Sequence, residues 1–336
     1  MDFVQKMKTQ AQMLQNRLVL PEGSEERVIF AAEKIMREKL AKEVFLIGEE
    51  KKIKDFAKEK SISLDGITIL DPNKSKFFDD FCTTYVELRK HKGMTLEQAR
   101  MDMKENNRFA AMMVRKGKAD SMVAGAISTT ADVLRAGLTI IGTAEGTKTA
   151  SSCFVMQMKD SFWGAEGLMI FSDCAVIPKP TAQQLSDIAI SAGQSCRSLI
   201  GSDPVVAMLS FSTKGSGGKD EDVLRVQEAV KLAKEKDPSL LIDGELQADA
   251  ALVPSITQKK APDSPITGKV NTLVFPDLGS GNISYKLVQR LAGAEAFGPF
   301  LQGFAQPISD LSRGCSVEDI IAVSAVTLVQ AGKKEA

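Results

Sequence analysis

The chain has 336 residues, with 43 Lys and Arg balanced by 43 Asp and Glu, so its formal net charge is zero. That balance argues against a nucleic-acid coat or a polybasic membrane binder, both of which need excess cation. Hydrophobic residues at 43% and charged residues at 26% are ordinary for a soluble globular protein, no apolar run approaches the roughly 20 residues that cross a bilayer, and the length suggests about two domains.

The opening MDFVQKMKTQAQMLQNR is amphipathic and lacks the apolar core of a secretory signal, which predicts a cytoplasmic protein. Arg17 to Pro21 reads as a short strand, and Ser24 then caps a helix EERVIFAAEKIMREKLAK. Val44 to Gly48 and Ile67 to Leu70 read as strands on either side of a Lys-rich helix. Two long helical patterns follow, about Lys76 to Lys92 and Thr95 to Lys118, and Ser121 to Ala126 reads as a buried strand.

After Gly142 the texture changes. Ser152 to Met158 and Gly167 to Val176 form a hairpin signal around Asp160 to Glu166, which holds the only Trp. Then come a helix from Ala182, a strand Pro204 to Phe211, a Gly-rich loop, a helix Asp220 to Lys236 and a strand Leu240 to Asp243. The last predicted strand is Thr272 to Pro276. It leads to a helix near Asn282, and a final helix covers about Val317 to Gln330. Strands alternating with helices predict an α/β protein with mostly parallel sheets in two domains, with a boundary near residue 145.

The chemistry must work without a histidine pair, because His91 is the only histidine, and it is expected on the surface. The five cysteines are scattered, which fits reduced thiols rather than disulfides or a Cys-rich metal site. Thr213 to Lys219 (TKGSGGK) fails the phosphate-loop pattern of nucleotide hydrolases, leaving a flexible turn or a substrate-covering loop. Pro276 to Lys286 (PDLGSGNISYK) follows a strand end and is either an anion cradle capped by Asn282 or a plain capped turn.

Two segments carry stronger signals. In STTADVLR the hydroxyls of Ser128, Thr129 and Thr130 cluster where a helix starts, with Arg135 about two turns on. A cap needs one hydroxyl, so the surplus suits a phosphate or carboxylate ligand. In DLSRGCSVEDI, Ser316 and Asp319 have capping-box spacing. Arg313 at the same helix start opposes the helix dipole unless an anion lies between them. Asp243, Glu245 and Asp249 are a weak candidate for a divalent ion. Cys315 is a weak candidate nucleophile, with no second histidine to activate it.

Taken together, LVLPEG, GAISTTADVLR, AMLSFSTKGSG, IDGELQADAA, VFPDLGSGNISYKLVQRLAGAEAFGP and DLSRGCSVEDI resemble the phosphate acetyl/butyryl transferase family along nearly the whole chain. The resemblance implies two α/β domains of the isocitrate and isopropylmalate dehydrogenase type, with parallel or mixed sheets around a cleft. The first would hold residues 1–145 and about 298–336, with the last helix rejoining it, and the second residues 146–297. It implies a homodimer in acetate metabolism, and direct transfer between acetyl-CoA and phosphate, giving acetyl phosphate and CoA, with no metal and no cofactor beyond CoA as substrate.

The same resemblance implies Asp319 as base for the CoA thiol, Ser312 near the reacting carbonyl and Arg313 on phosphate. It implies Ser128, Thr130 and Arg135 on the acyl-phosphate side, and Arg89 and Arg290 as CoA contacts. Some relatives carry Cys where Ser280 stands, so no indispensable thiol is expected there. A carboxylate is a weak acceptor for a thiol, so positioning is expected to matter more than basicity. The alternatives are a phosphate butyryltransferase, a metal-dependent decarboxylating dehydrogenase on the same fold, and a non-catalytic CoA-binding protein.

Overall fold

The computed structural model describes residues 2–332, and the chain divides into two compact units, one running to Ala144 and resuming at Phe304, the other spanning Glu145–Gly303. The first unit contains α1 (Phe3–Leu14), β1 (Arg17–Leu20), α2 (Glu26–Arg37), β2 (Glu43–Ile47), α3 (Glu50–Glu59), β3 (Ile67–Leu70), α4 (Phe78–Arg89), α5 (Leu96–Asp102), α6 (Asn106–Arg115), β4 (Ser121–Ala124) and α7 (Thr130–Ala136). The second contains β5 (Ser151–Gln157), β6 (Leu168–Ser172), α8 (Ala182–Ser195), β7 (Val205–Leu209), α9 (Glu221–Lys236), β8 (Leu241–Leu246), α10 (Ala248–Leu252), α11 (Pro254–Lys260), β9 (Thr272–Val274), α12 (Leu278–Leu291) and β10 (Glu295–Gln302). The chain then returns to the first unit with β11 (Ile308–Asp310) and α13 (Val317–Gln330).

The first unit's strands run β3-β2-β1-β4-β11, all parallel. β4 is buried along its length, as a strand covered on both faces must be. α2 turns Val28, Ile29, Ala31, Ala32 and Ile35 inward, and α6 buries Phe109 to Val114. α13 packs against α1, α2 and β4, and Thr327 Oγ1 donates to Ser309 Oγ of β11 at 2.8 Å. The chain passes from β1 to one side through β2 and β3, and to the other through β4 and β11. β1 and β4 therefore flank the point where strand order reverses, and ligands of open α/β sheets bind outside strand carboxyl ends at such a point.

The second unit is a mixed sheet, β10-β5-β6-β9-β7-β8. β5 and β6 form the antiparallel hairpin, β10 pairs antiparallel with β5, and the remaining pairs are parallel. Its core includes Phe154, Phe171, Leu246, Leu273 and Phe275.

Several local expectations change. Ser24 does not cap α2; the cap position is Glu25 and its side chain makes no cap bond. The Thr95–Lys118 pattern breaks into α5 and α6 at residues 103–105. α12 begins at Leu278, capped by Asp277, rather than near Asn282. Thr272 to Pro276 is not the last strand, since β10 and β11 follow it. The return to the first unit comes at Phe304 rather than near 298, because β10 stays paired with β5.

Candidate active site

The loops after β1, β4 and β11 gather at the carboxyl ends of three neighbouring parallel strands. The turn after β1 carries Glu22, which is 5% exposed. Its Oε2 accepts from the amides of Gly125 (3.0 Å) and Ala126 (2.7 Å), and its Oε1 from those of Ile127 (3.0 Å) and Ser128 (2.7 Å). Four consecutive amides of the loop after β4 thus close on one carboxylate. The main-chain amides there are already occupied, and the side chains beyond them remain for a ligand.

Those side chains have separate partners. Ser128 Oγ accepts from Asn107 Nδ2 at 2.9 Å. Thr129 is the cap of α7; its Oγ1 accepts from the Asp132 amide at 3.2 Å and donates to Asp132 Oδ2 at 2.7 Å. Thr130 is exposed, and its hydroxyl donates to Asp310 Oδ2 at 2.5 Å. Arg135 pairs on the surface with Asp132 at 2.8 Å, and these partners hold the Asp132 carboxyl below its usual range.

The loop after β11 holds the second group. Ser312 and Arg313 are exposed, and Ser312 Oγ accepts from the Gly314 amide at 3.3 Å. Among the described residues no carboxylate pairs with the Arg313 side chain. Ser316 and Asp319 form the capping box of α13: the Asp319 amide donates to Ser316 Oγ at 3.1 Å, and Ser316 N and Oγ each donate to Asp319 Oδ2 at 2.8 Å. Both of those bonds fall on Oδ2. Asp319 is exposed, so it serves the cap openly rather than from a buried position.

Arg27, at the start of α2, joins the two loops. Its Nη2 donates to Ala126 O at 3.0 Å, and its Nη1 to Arg313 O at 2.9 Å and Cys315 O at 2.7 Å. Glu25 holds the guanidinium through a 2.6 Å ion pair. Cys315 is buried, and burial pushes its thiol up despite the nearby Arg27, which leaves a poor nucleophile.

Sequence reasoning passed over Glu22, Arg27 and Asp310. The signals were present as an acidic residue before a Gly at a strand end, an Arg in the first turn of a helix, and an Asp closing a strand. None is distinctive without knowing which strands are neighbours.

The remaining candidates lie apart from this cluster in sequence. Arg89 closes α4 half-buried, and its Nε is buried with no hydrogen-bond partner among the described residues. Arg290 is exposed in the last turn of α12. In Pro276 to Lys286 the helix start is capped by Asp277, whose Oδ1 accepts from the Ser280 amide at 2.7 Å, while Asn282 Nδ2 donates to Cys174 O at 3.0 Å instead of capping. A side chain at Gly281 would meet Asp173 O at 2.3 Å, which is why Gly stands there. His91 is exposed.

The acidic trio does not form an ion site. Asp243, 2% exposed, pairs with Lys214 at 2.8 Å and takes a 2.5 Å bond from Ser264. Glu245 is saturated by Ser212, the Gly215 amide and Gln227, and Asp249 pairs with Lys260 at 2.8 Å. Each carboxyl is held below its usual range by these partners, which outweigh the opposing effect of burial. Among the described residues no metal-ligating cluster is present. The Gly-rich loop is thereby fastened to β8 through Lys214 and Gly215 rather than left loose.

The family model described as phosphate acetyl/butaryl transferase matches residues 2–328. The chain belongs to that family. A phosphate acetyltransferase of Treponema pallidum is 61% identical over 332 residues, covering 98% of this chain and 99% of that protein. One from Acetivibrio thermocellus is 50% identical over 331 residues, covering 98% of each. The solved phosphotransacetylase of Streptococcus pyogenes superimposes with a TM-score of 0.92 at 41% identity over 98% of each chain. A 4-hydroxythreonine-4-phosphate dehydrogenase of Klebsiella pneumoniae, 12% identical with a TM-score of 0.53 over 96% of this chain and 99% of that one, shares the fold alone. The resemblance read from the motifs is therefore borne out, and the chain is an acyltransferase of this family.

Proposed function

We propose that this acyltransferase exchanges acetyl-CoA and phosphate for acetyl phosphate and CoA by direct attack of phosphate on the thioester, both substrates being bound together. The observation that carries the reading is the Arg27 bridge. It ties the segment bearing Ser312 and Arg313 to the loop bearing Ser128 and Thr130, so that an unpaired cation and a row of hydroxyls come from adjacent parallel strands. Arg313 and Arg135 clamp the phosphate, for which the planar guanidinium is well shaped, with Ser128 and Thr130 beside them. Ser312 donates to the carbonyl oxygen as negative charge develops there. Asp319 handles the proton of the CoA sulfur, through position rather than basicity. Arg89 and Arg290 take the anionic groups of CoA. No cofactor takes part, and the reaction runs in the cytoplasm.

The protein works as a homodimer. The support is a stripe on α12, where Ile283, Leu287 and Leu291 recur every four residues and are all exposed, Leu291 at 82%. Butyryl transfer is the nearest alternative, since the family description names both acyl groups. Comparing acetyl-CoA with butyryl-CoA decides between them.

The test is release of free thiol from acetyl-CoA with and without inorganic phosphate. Release that requires phosphate and is undiminished by EDTA is the expected result. Equal release without phosphate would overturn the reading.

A further inference from the structure

Asp310 closes β11 two residues before Ser312 and is 4% exposed. Its two carboxyl oxygens differ. Oδ2 accepts the Thr130 hydroxyl at 2.5 Å, while Oδ1 is buried with no hydrogen-bond partner among the described residues. Its environment is poor for an anion. Burial pushes the carboxyl up to about 6 against the opposing pull of the Thr130 hydroxyl and the Leu311 backbone amide, and the nearby Glu22 carboxylate adds a smaller push in the same direction as burial. Of the other charged groups on neighbouring elements, Asp132 pairs with Arg135 on α7, Arg27 with Glu25 on α2, and on α13 Glu318 pairs with Lys34 and Asp319 serves the cap, while Arg313 on the loop after β11 has no carboxylate partner among the described residues and is the cation left for phosphate. A buried carboxyl therefore sits behind the hydroxyl of an exposed threonine, and that hydroxyl is the one assigned above to phosphate.

The arrangement matters because a threonine hydroxyl has one proton. While it points at an ionised Asp310, Thr130 can only accept from a ligand. The group it can accept from is the P–OH of hydrogen phosphate, which carries the proton that acetyl phosphate lacks. The geometry points to Asp310 as a positioning residue that, through Thr130, takes up the proton lost by hydrogen phosphate when it attacks the thioester.

This rests on the phosphate reading of the Ser128–Thr130 loop. In the step, the phosphate oxygen forms a bond to the acetyl carbon. Its proton passes to Thr130 Oγ1 while Thr130's own proton passes to Asp310 Oδ2, and the carbon–sulfur bond breaks. The leaving thiolate takes a proton from solvent water on the Asp319 side, and Asp310 returns its proton to water when products leave, so no net proton is gained or lost by solvent. One proton leaves phosphate and one reaches sulfur, so the sum balances. In the reverse direction protonated Asp310 supplies the proton. Burial, helped by Glu22, holds that carboxyl at about 6, close enough to a working pH for proton transfer in both directions.

The test measures kcat against pH for wild type, Asp310→Asn, Thr130→Val, Thr130→Ser and the Asp310→Asn/Thr130→Val double variant, with thermal melts to confirm folding. Phosphate titrates in the same range, so the readout is the ratio of variant to wild-type kcat. Asp310→Asn and Thr130→Val are each expected to lose at least about tenfold above pH 7. Their ratios to wild type should climb towards one as pH falls through 6, where the wild-type carboxyl fills with protons. The double variant should be no worse than either single one, and Thr130→Ser should stay within about threefold of wild type, because it keeps the hydroxyl. A ratio flat across pH, additive losses, or a Thr130→Val enzyme within about threefold of wild type would overturn the relay. If Asp310→Asn does not fold, the Thr130→Val and Thr130→Ser pair decides alone. The KM for phosphate in Ser128→Ala and Arg135→Ala separates the two claims. If it is unchanged, the phosphate reading itself fails; if it rises while the pH ratio stays flat, only the relay fails.

Discussion

Arg27 and Cys315 meet at two points: the arginine Nη1 lies 2.7 Å from the cysteine carbonyl oxygen and 3.8 Å from its sulfur. The same guanidinium reaches Ala126 O at 3.0 Å, so one side chain sets the spacing of two loops. Lysine carries the charge but not the fork, and cannot hold three carbonyls in fixed directions. Arg27→Lys should therefore lower kcat by at least about tenfold while leaving KM for acetyl-CoA within about threefold, since misplacing catalytic groups by an ångström is enough for such a loss. Steady-state kinetics check this; a wild-type kcat would remove Arg27 from the account.

Glu22 occupies four amides, those of Gly125 and Ala126 buried and those of Ile127 and Ser128 part-buried, which would otherwise lack this partner. A glutamine has only one carbonyl oxygen to offer, and its NH2 would face amides. Glu22→Gln should cost about 2–3 kcal/mol of stability, in keeping with the loss of charge-assisted bonds. It should also raise KM for phosphate through the loosened Ser128 and Thr130. Urea denaturation and phosphate titration of the rate read the two effects separately.

Asp310 also predicts a stability profile. Its carboxyl is raised from 3.8 to about 6 on folding, so the folded chain holds the proton more tightly than the unfolded one. The contribution is fully present below pH about 4 and is lost as pH rises through 6. At about 1.4 kcal/mol per pH unit the total is of the order of 3 kcal/mol. Asp310→Asn, which cannot ionise, should accordingly unfold at higher urea than wild type at pH 8, with the advantage vanishing by pH 4. A variant less stable than wild type at pH 8 would contradict the unfavourable charge at this position. Gaining stability while losing turnover is the usual trade at a functional site.

Cys315→Ala should keep turnover within about threefold of wild type, because the buried thiol, pushed up in its proton affinity, is not a nucleophile. Arg313→Ala and Ser312→Ala should each lose at least about tenfold in kcat, as interactions strengthened in the transition state. An inactive Cys315→Ala beside an active Arg313→Ala would reverse these assignments.

The strong local patterns were legible in the sequence for stated reasons. The β5–β6 hairpin, α9 and α13 follow from apolar periodicity and turn residues, and the Ser316–Asp319 capping box from spacing alone. β10 was not, because EAFGPFLQ carries Gly298 and Pro299 in its middle, and the register shifts between Phe297 and Phe300 to accommodate them. β11 is three residues long, too short for any period. Within the site, Arg313 stood out because it opposes a helix dipole. Glu22, Arg27 and Asp310 did not, because their meaning depends on partners about 100, 290 and 180 residues away, which only the parallel pairing of β1, β4 and β11 brings together.

The claim of direct exchange is tested most directly by mixing the enzyme with acetyl-CoA in the absence of phosphate and weighing the intact protein. Attack by phosphate itself predicts an unmodified chain and no thiol released until phosphate is added. A chain heavier by one acetyl group, at Cys315, Ser312 or elsewhere, that discharges on addition of phosphate would contradict it.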